Sequence, residues 1–173
     1  EELVDLRKLG GIVTKTITLK PRAGNPQPRL VETASGLINS IGLQNEGLEN
    51  FLNEKLPYLK TLGIPIIVSI GGETPDEFVT LARALSKENS ISALELNISC
   101  PNIKSKTRRL FSQDEDVTYK LVTAVRRATN KTIIAKLSPN VTDISEIALA
   151  AENAGADAVS LINTFFALAV DAE

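Results

Sequence analysis

The chain has 173 residues, of which 43% are apolar and 23% charged, and these values are typical of a globular domain. The net charge of −2, two tyrosines and no tryptophan argue against a nucleic-acid-binding protein. The absence of histidine excludes Ser-His-Asp and Cys-His catalysis and the common imidazole-based metal sites, so we expect no metal.

Cysteine content and apolar runs suggest where the protein works. The single cysteine excludes an internal disulfide and fits a reducing cytoplasm. No apolar run has the length of a membrane span, and the first residues do not read as a signal peptide, so we expect no membrane partner. The chain contains no methionine, which we interpret as a sign of a fragment or of a processed chain.

The first part of the chain predicts two strands and a helix around an irregular loop. Residues 12–19 form a β-branched run typical of a strand, and three prolines within 20–29 predict a long loop. Asn45 is placed to cap a helix over about 46–59. The continuous apolar run at 65–70 predicts a strand that is buried on both faces.

The middle of the chain continues with alternating helices and strands. Residues 74–77, Thr-Pro-Asp-Glu, form a capping box that opens a helix ending near Lys87. A strand is predicted at 93–99, where apolar residues alternate at period two. The basic segment 103–113 is interpreted as a mobile loop, and apolar spacing predicts a helix over 115–129.

The last part predicts two more strands separated by a capped helix. The strands are residues 132–137 and 158–162, and Asp143 is placed to cap a helix that ends at Gly155. Apolar strands of this kind require helices on both sheet faces or around a closed barrel. We therefore expect an open portion of a (β/α)8 TIM barrel, which is typically ~250 residues long. An open, doubly wound five-stranded sheet is the alternative.

Polar residues gather where the strand at 93–99 ends. Pro101 ends the strand, so Asn97, Ser99, Cys100 and Asn102 fall at its carboxyl end, the ligand face of parallel α/β proteins. A lone cysteine is more often a small buried hydrophobe. Polar neighbours make that burial costly, so we interpret Cys100 as a catalytic base.

Other strand ends carry further candidates. Lys15 and Lys136 suit a flavin, a phosphate or a carboxylate substrate, although stems that reach solvent at the rim are the alternative. Asn163 and Thr164 add donors and acceptors on the same face, or form an ordinary polar loop. Gly42 indicates backbone close to a ligand or, equally, a turn.

Together these strand ends resemble those of dihydroorotate dehydrogenases, most closely the NAD-linked class 1B. The matching stretches are residues 14–16, 24–29, 39–45, 95–102, 136–143 and 161–164. The resemblance implies a (β/α)8 barrel that binds FMN, with the first strand and the last two missing here. Residues 1–173 would then be one partial FMN-binding barrel domain that alone binds FMN weakly or not at all.

The resemblance also implies residue roles in the FMN-dependent oxidation of dihydroorotate to orotate, a step of pyrimidine biosynthesis. Cys100 would remove the C5 proton as general base while hydride passes to FMN. The implied substrate contacts are Lys15, Asn39, Ser40, Ile41, Gly42, Leu43, Asn97, Asn102, Asn163 and Thr164. The implied FMN contacts are Lys15, Thr16, Asn97, Lys136 and Ile162.

The same resemblance implies a homodimer joined to an FAD and iron–sulfur subunit in a heterotetramer that passes electrons to NAD. Two departures from the family pattern stand out. Ser69 replaces the usual asparagine contact to FMN, and the expected lid at 103–113 lacks the usual Gly-Gly. A related flavin barrel acting on another pyrimidine, as in dihydropyrimidine dehydrogenase, and an inactive barrel fragment are the alternatives.

Overall fold

The computed structural model describes residues 4–99 and 111–170. Cys100, Asn102 and most of the predicted lid therefore lie outside the described residues. Within the described part, no helix combines the length and the apolar character needed to span a membrane.

Seven strands and five α-helices make up the described chain. The strands are β1 (Ile12–Val13), β2 (Leu30–Thr33), β3 (Gly36–Asn39), β4 (Ile66–Ile70), β5 (Ile91–Asn97), β6 (Thr132–Lys136) and β7 (Ala158–Ser160). The helices are α1 (Gly47–Asn50), α2 (Leu56–Lys60), α3 (Pro75–Ser86), α4 (Glu115–Arg126) and α5 (Ile144–Asn153). A π-helical stretch, Phe51–Lys55, joins α1 to α2, and short 3₁₀ turns lie at Leu6–Lys8 and Phe111–Gln113.

Five of the strands form one parallel sheet in the order β1-β4-β5-β6-β7. This order never reverses along the chain, whereas a doubly wound sheet reverses at its switch point. The barrel prediction is therefore confirmed as a half-barrel with open edges at β1 and β7, and the doubly wound alternative is wrong. Because the strands are parallel, their carboxyl ends share one rim.

The outer face of this sheet packs against the helices. On β5, Leu94 and Leu96 point to that face and have no exposed surface. Phe78 of α3 is also fully buried, and its ring meets Phe111 edge to face with the centroids 5.8 Å apart. Each such side chain contributes about 1.5–3 kcal/mol by leaving water. The core between sheet and helices thus holds the strand ends in place.

The predicted caps of α3 and α5 are confirmed, whereas Glu46 rather than Asn45 is the N-cap of α1 and has no side-chain cap. Thr74 Oγ1 accepts a hydrogen bond from the Glu77 backbone N–H at 3.4 Å, and α3 begins at Pro75. Asp143 Oδ1 accepts from the Ser145 backbone N–H at 2.8 Å and caps α5. Gly155, with φ of 98°, follows the end of that helix, as the sequence predicts.

A hairpin of β2 and β3 is the element for which no prediction was made. Leu30 pairs with Asn39 and Thr33 with Gly36, with a two-residue turn between the strands. The Thr33 hydroxyl donates to the Gly36 carbonyl at 3.0 Å. The hairpin belongs to a separate sheet and leads directly into the loop that follows Asn39.

Candidate functional site

The predicted strand at 12–19 is wrong in its continuity, and its break shapes the site. Val13 pairs with Ile67, and the next bridge joins Ile17 to Ile70. The first strand therefore advances by one residue more than β4 between the two pairs. Such an extra residue is a bulge, which re-aims side chains beside active sites. It brings the side chains of residues 15–16 to the carboxyl rim, where both line a cavity.

A chain of hydrogen bonds connects the strand ends across the rim. The Asn97 amide donates to Thr16 Oγ1 at 2.9 Å, and the hydroxyls of Thr16 and Ser69 lie 2.9 Å apart. On the other side, the Asn163 amide donates to Asn97 Oδ1 at 3.2 Å and to Ser99 Oγ at 3.1 Å. The polar ends of β4 and β5 are thereby linked to residues that follow β1 and β7. The free-energy cost of burying polar groups is small in such a network, because each group has a hydrogen-bond partner.

These residues surround a cavity of about 350 Å³ at the carboxyl ends of the strands. The predicted site residues on its wall are Lys15, Thr16, Asn39, Ile41, Gly42, Leu43, Asn97, Lys136, Asn163 and Thr164. Ser40 and Ile162 do not line it. Cys100 and Asn102 lie outside the described residues, although Cys100 directly follows the buried Ser99 in the chain. The structure thus brings together side chains that lie up to 149 positions apart, from Lys15 to Thr164.

The loop from Asn39 to Leu43 is shaped by contacts with a neighbouring loop. Gly42 has φ of 77°, and a Cβ there would meet the Asn25 backbone nitrogen at 2.9 Å. The Asn25 amide also donates to the Ser40 carbonyl at 2.7 Å. The close approach that requires glycine is therefore to Asn25, while the loop's other side lines the cavity.

Among the described residues, two cations and one carboxylate line the cavity wall. Lys136, the last residue of β6, is half-buried, and Lys15 is exposed. Neither lysine forms an ion pair in the part of the chain that the structure describes. Glu95, only 7% exposed, lies on the same wall. Two positive charges and one negative charge leave the described part of the wall positive, as an anionic ligand requires.

Sequence reasoning gave no role to Glu95, whose signal is the period-two spacing that puts it on the same face of β5 as Asn97. It also left open the part played by Ser69, which pairs with Glu95 across the sheet and lines the cavity. No group of three or more His, Cys, Asp or Glu residues able to hold a metal occurs among residues 4–99 and 111–170.

Comparison with known proteins gives a consistent result. The family model for dihydroorotate dehydrogenase matches residues 1–172. The dihydroorotate dehydrogenase B (NAD(+)) catalytic subunit of Endomicrobium trichonymphae is 51% identical over 170 residues, covering 98% of this chain and 55% of its own length. The catalytic subunits of the same name from Trichlorobacter lovleyi and Desulforudis audaxviator are 51% and 54% identical, over 99% and 98% of this chain and 56% and 55% of their own lengths.

The chain therefore spans about half the length of the curated relatives that it matches. A half-barrel accounts for that share, since a whole barrel needs eight strand–helix units. The family match over residues 1–172 and the relatives that are about half identical show that the chain belongs to the dihydroorotate dehydrogenase family.

Proposed function

We propose that this chain is the larger part of a barrel that oxidises dihydroorotate to orotate with FMN, as the catalytic subunit of an NAD-linked enzyme of pyrimidine biosynthesis in the cytoplasm. The observation that carries the proposal is one cavity on which residues from five strand ends and the loop after β3 converge. Relatives that are about half identical and named as such catalytic subunits support the same assignment.

The donor set fits the ring of FMN. Lys15, Thr16, Asn97, Lys136 and Ile162 would hold it, and all but Ile162 line the cavity. Amide and ammonium groups match the imide edge of a flavin and favour negative charge on it. FMN, when bound, supplies the hydride acceptor. The chain's own part is to orient the ring and to place positive charge beside it.

The substrate would lie against the loop from Asn39 to Leu43, with Asn97, Asn102, Asn163 and Thr164 as polar contacts. Within this group, Asn163 is already oriented, because its amide donates to Asn97 and Ser99 while its Oδ1 accepts from the Thr164 backbone N–H at 2.8 Å. Dihydroorotate carries a carboxylate and dihydrouracil does not, so the two lysines, which form no ion pair among the described residues, favour dihydroorotate.

Cys100 would take the C5 proton. A free thiol has a pKa near ~8.5, and nearby positive charge lowers it and raises the fraction of reactive thiolate. Lys15 and Lys136 supply such charge at this rim. A positioned base of this kind contributes about 10²–10⁴-fold to the rate.

The test uses the full-length gene product loaded with FMN under anaerobic conditions. We expect dihydroorotate to bleach the flavin absorbance and dihydrouracil to do so far more slowly. Cys100→Ala is expected to retain flavin and slow bleaching by about 10²-fold or more, because the base is lost. Ser92→Ala, an exposed change on the same strand, serves as the matched control.

Three outcomes would contradict the proposal. If the flavin-loaded wild-type protein stays yellow with dihydroorotate, the proposed activity is wrong. If dihydrouracil bleaches the flavin faster, the substrate is another pyrimidine. An unchanged rate in Cys100→Ala removes that residue from the base role.

Electron transfer onward to NAD would use an FAD and iron–sulfur subunit bound to a homodimer of this subunit in a heterotetramer. The relatives are named as catalytic subunits of an NAD(+) enzyme, which supports a separate partner. Native mass spectrometry of the purified full-length complex tests it. Mass corresponding to this subunit alone, with direct reduction of NAD, would contradict it.

A further inference from the structure

Glu95 is a buried carboxylate in a place where barrels usually hold apolar side chains. It is 7% exposed and faces the inner side of β5, two residues before Asn97. Among the described residues its side chain has one hydrogen-bond partner, the Ser160 hydroxyl, which donates to Oε2 at 3.1 Å. Burying an acid with so little compensation is costly, and stability of the fold gives no reason for it.

The geometry brings this carboxylate to Lys136. Ser160 lies on β7 and Glu95 on β5, with β6 between them. Lys136 pairs across the sheet with Asn97 on one side and with Ser160 on the other. A hydrogen bond from Ser160 to Glu95 therefore passes over β6 beside Lys136. Diagonal positions of this kind are roughly 7–8 Å apart at the backbone, which two long side chains can span.

The carboxylate is hydrogen-bonded to Ser160 rather than paired with Lys136. Glu95 and Lys136 line the same cavity but form no ion pair in the described part of the chain. The ammonium of Lys136 thus stays available to a ligand while the nearby negative charge weakens its pull. Inside a cavity such a charge acts strongly, because the local dielectric is low.

From these contacts we infer that Glu95, held by Ser160, sets the positive potential of the cavity by acting through Lys136, and so limits how tightly an anionic pyrimidine binds. The inference rests on the proposed function, because it takes orotate as the anionic ligand and FMN as the ring beside it. Loss of the negative charge of Glu95 makes orotate bind more tightly and favours the reduced, more negative flavin.

The experiment uses full-length protein loaded with FMN and measures the Kd of orotate from the change it causes in the flavin spectrum. For Glu95→Gln we expect orotate to bind about tenfold more tightly, as one unscreened charge predicts. The flavin midpoint potential is expected to rise, by roughly 30 mV if the shift is also tenfold in a two-electron equilibrium. Glu95→Asp should restore both values toward wild type, and the exposed Glu152→Gln should leave them unchanged.

A second variant gives the opposite sign. Ser160→Ala keeps the charge but frees the carboxylate to pair directly with Lys136, so orotate is expected to bind several-fold more weakly. A merely structural role would move both variants in the same direction. If Glu95→Gln does not fold, an unchanged orotate Kd in Ser160→Ala overturns the inference by itself.

The two levels of the hypothesis fail differently. A wild-type protein that holds FMN but is not reduced by dihydroorotate refutes the proposed function before any variant is made. A wild-type protein that is reduced, together with a Glu95→Gln variant whose orotate Kd and flavin potential are unchanged, refutes only the role of Glu95.

Discussion

The two faces of strand β5 are equally buried and chemically opposite. Leu94 and Leu96, on the outer face, have 0% exposure, while Glu95 and Asn97, on the inner face, have 7% and 3%. The outer pair packs against α3 and α4, where burial of apolar surface stabilises the fold. The inner pair is held by Ser160, Thr16 and Asn163 through hydrogen bonds that only offset the cost of burial. Burial alone therefore does not identify a core: here one face belongs to the apolar core and the other lines the polar cavity.

The largest expected effect is on the outer face. Phe78→Ala removes a fully buried ring and its edge contact with Phe111, so we expect a loss of about 3–5 kcal/mol in the free energy of unfolding. Denaturant unfolding of the full-length protein measures it. The remaining folded protein should keep its wild-type rate of flavin reduction. Tyr119→Ala, an exposed aromatic change on α4, is the control and should cost less than about 1 kcal/mol.

The opposite result would contradict the assignment of stability to the outer face of β5. If Phe78→Ala lowers the rate of flavin reduction in the folded fraction while the unfolding free energy stays within about 0.5 kcal/mol of wild type, the outer face is not the stabilising one.

A substitution on the inner face should instead lower the rate of flavin reduction and leave the free energy of unfolding nearly unchanged. Lys136→Met keeps much of the apolar stem and removes the charge, so we expect flavin reduction by dihydroorotate to slow by about 100-fold, as for loss of one preorganised donor. The free energy of unfolding should change much less than for Phe78→Ala, because the ammonium forms no ion pair in the described part of the chain. Anaerobic stopped-flow absorbance gives the rate, with exposed Lys120→Met as control.

A rate within about twofold of wild type would show that the cation on β6 does not act on the ring or the substrate, because loss of such a donor costs far more. The inner face would then hold Lys136 for another reason.

The same comparison shows which features were predictable from sequence. The apolar strands and the caps at Thr74 and Asp143 depend on residues that are close together in the sequence, so the sequence alone predicts them. The five parallel strands and the convergence of Lys15 with Lys136 followed from the topology that those patterns imply.

What sequence could not give depends on pairings between distant residues. The bulge after Val13 exists only relative to the register of β4, and a β-branched run by itself predicts an unbroken strand. The link from Glu95 on β5 to Ser160 on β7 crosses β6, and its partners are 65 residues apart. The hairpin of β2 and β3 had a Ser-Gly signal at its turn, but apolar positions on an exposed ribbon do not follow the core pattern.

The smallest expected effect is on stability at low pH. It tests whether a residue near the rim can contribute to the fold without contributing to the candidate site. Asp143 follows β6 near the rim, but its carboxylate caps α5. Hydrogen bonds from the Ser145 hydroxyl and then from the Ser145 backbone N–H hold the pKa of this exposed carboxyl below its usual value. Because the folded-state pKa is lowered, the contribution of Asp143 to stability is present above its unfolded pKa of about 4 and is lost as the pH falls through the lowered value.

With Asp143→Asn, the stability of the full-length protein should therefore fall less steeply below about pH 4 than in the wild type. The denaturant midpoint at a series of pH values measures this. Ser145→Ala removes only the hydroxyl donor, since the backbone N–H remains, and should flatten it in part. Neither change should alter the rate of flavin reduction at neutral pH, because neither side chain lines the cavity of Lys15 and Lys136. A slower rate in either variant would mean that the boundary between fold and site runs through the start of α5 rather than along the inner face of the sheet.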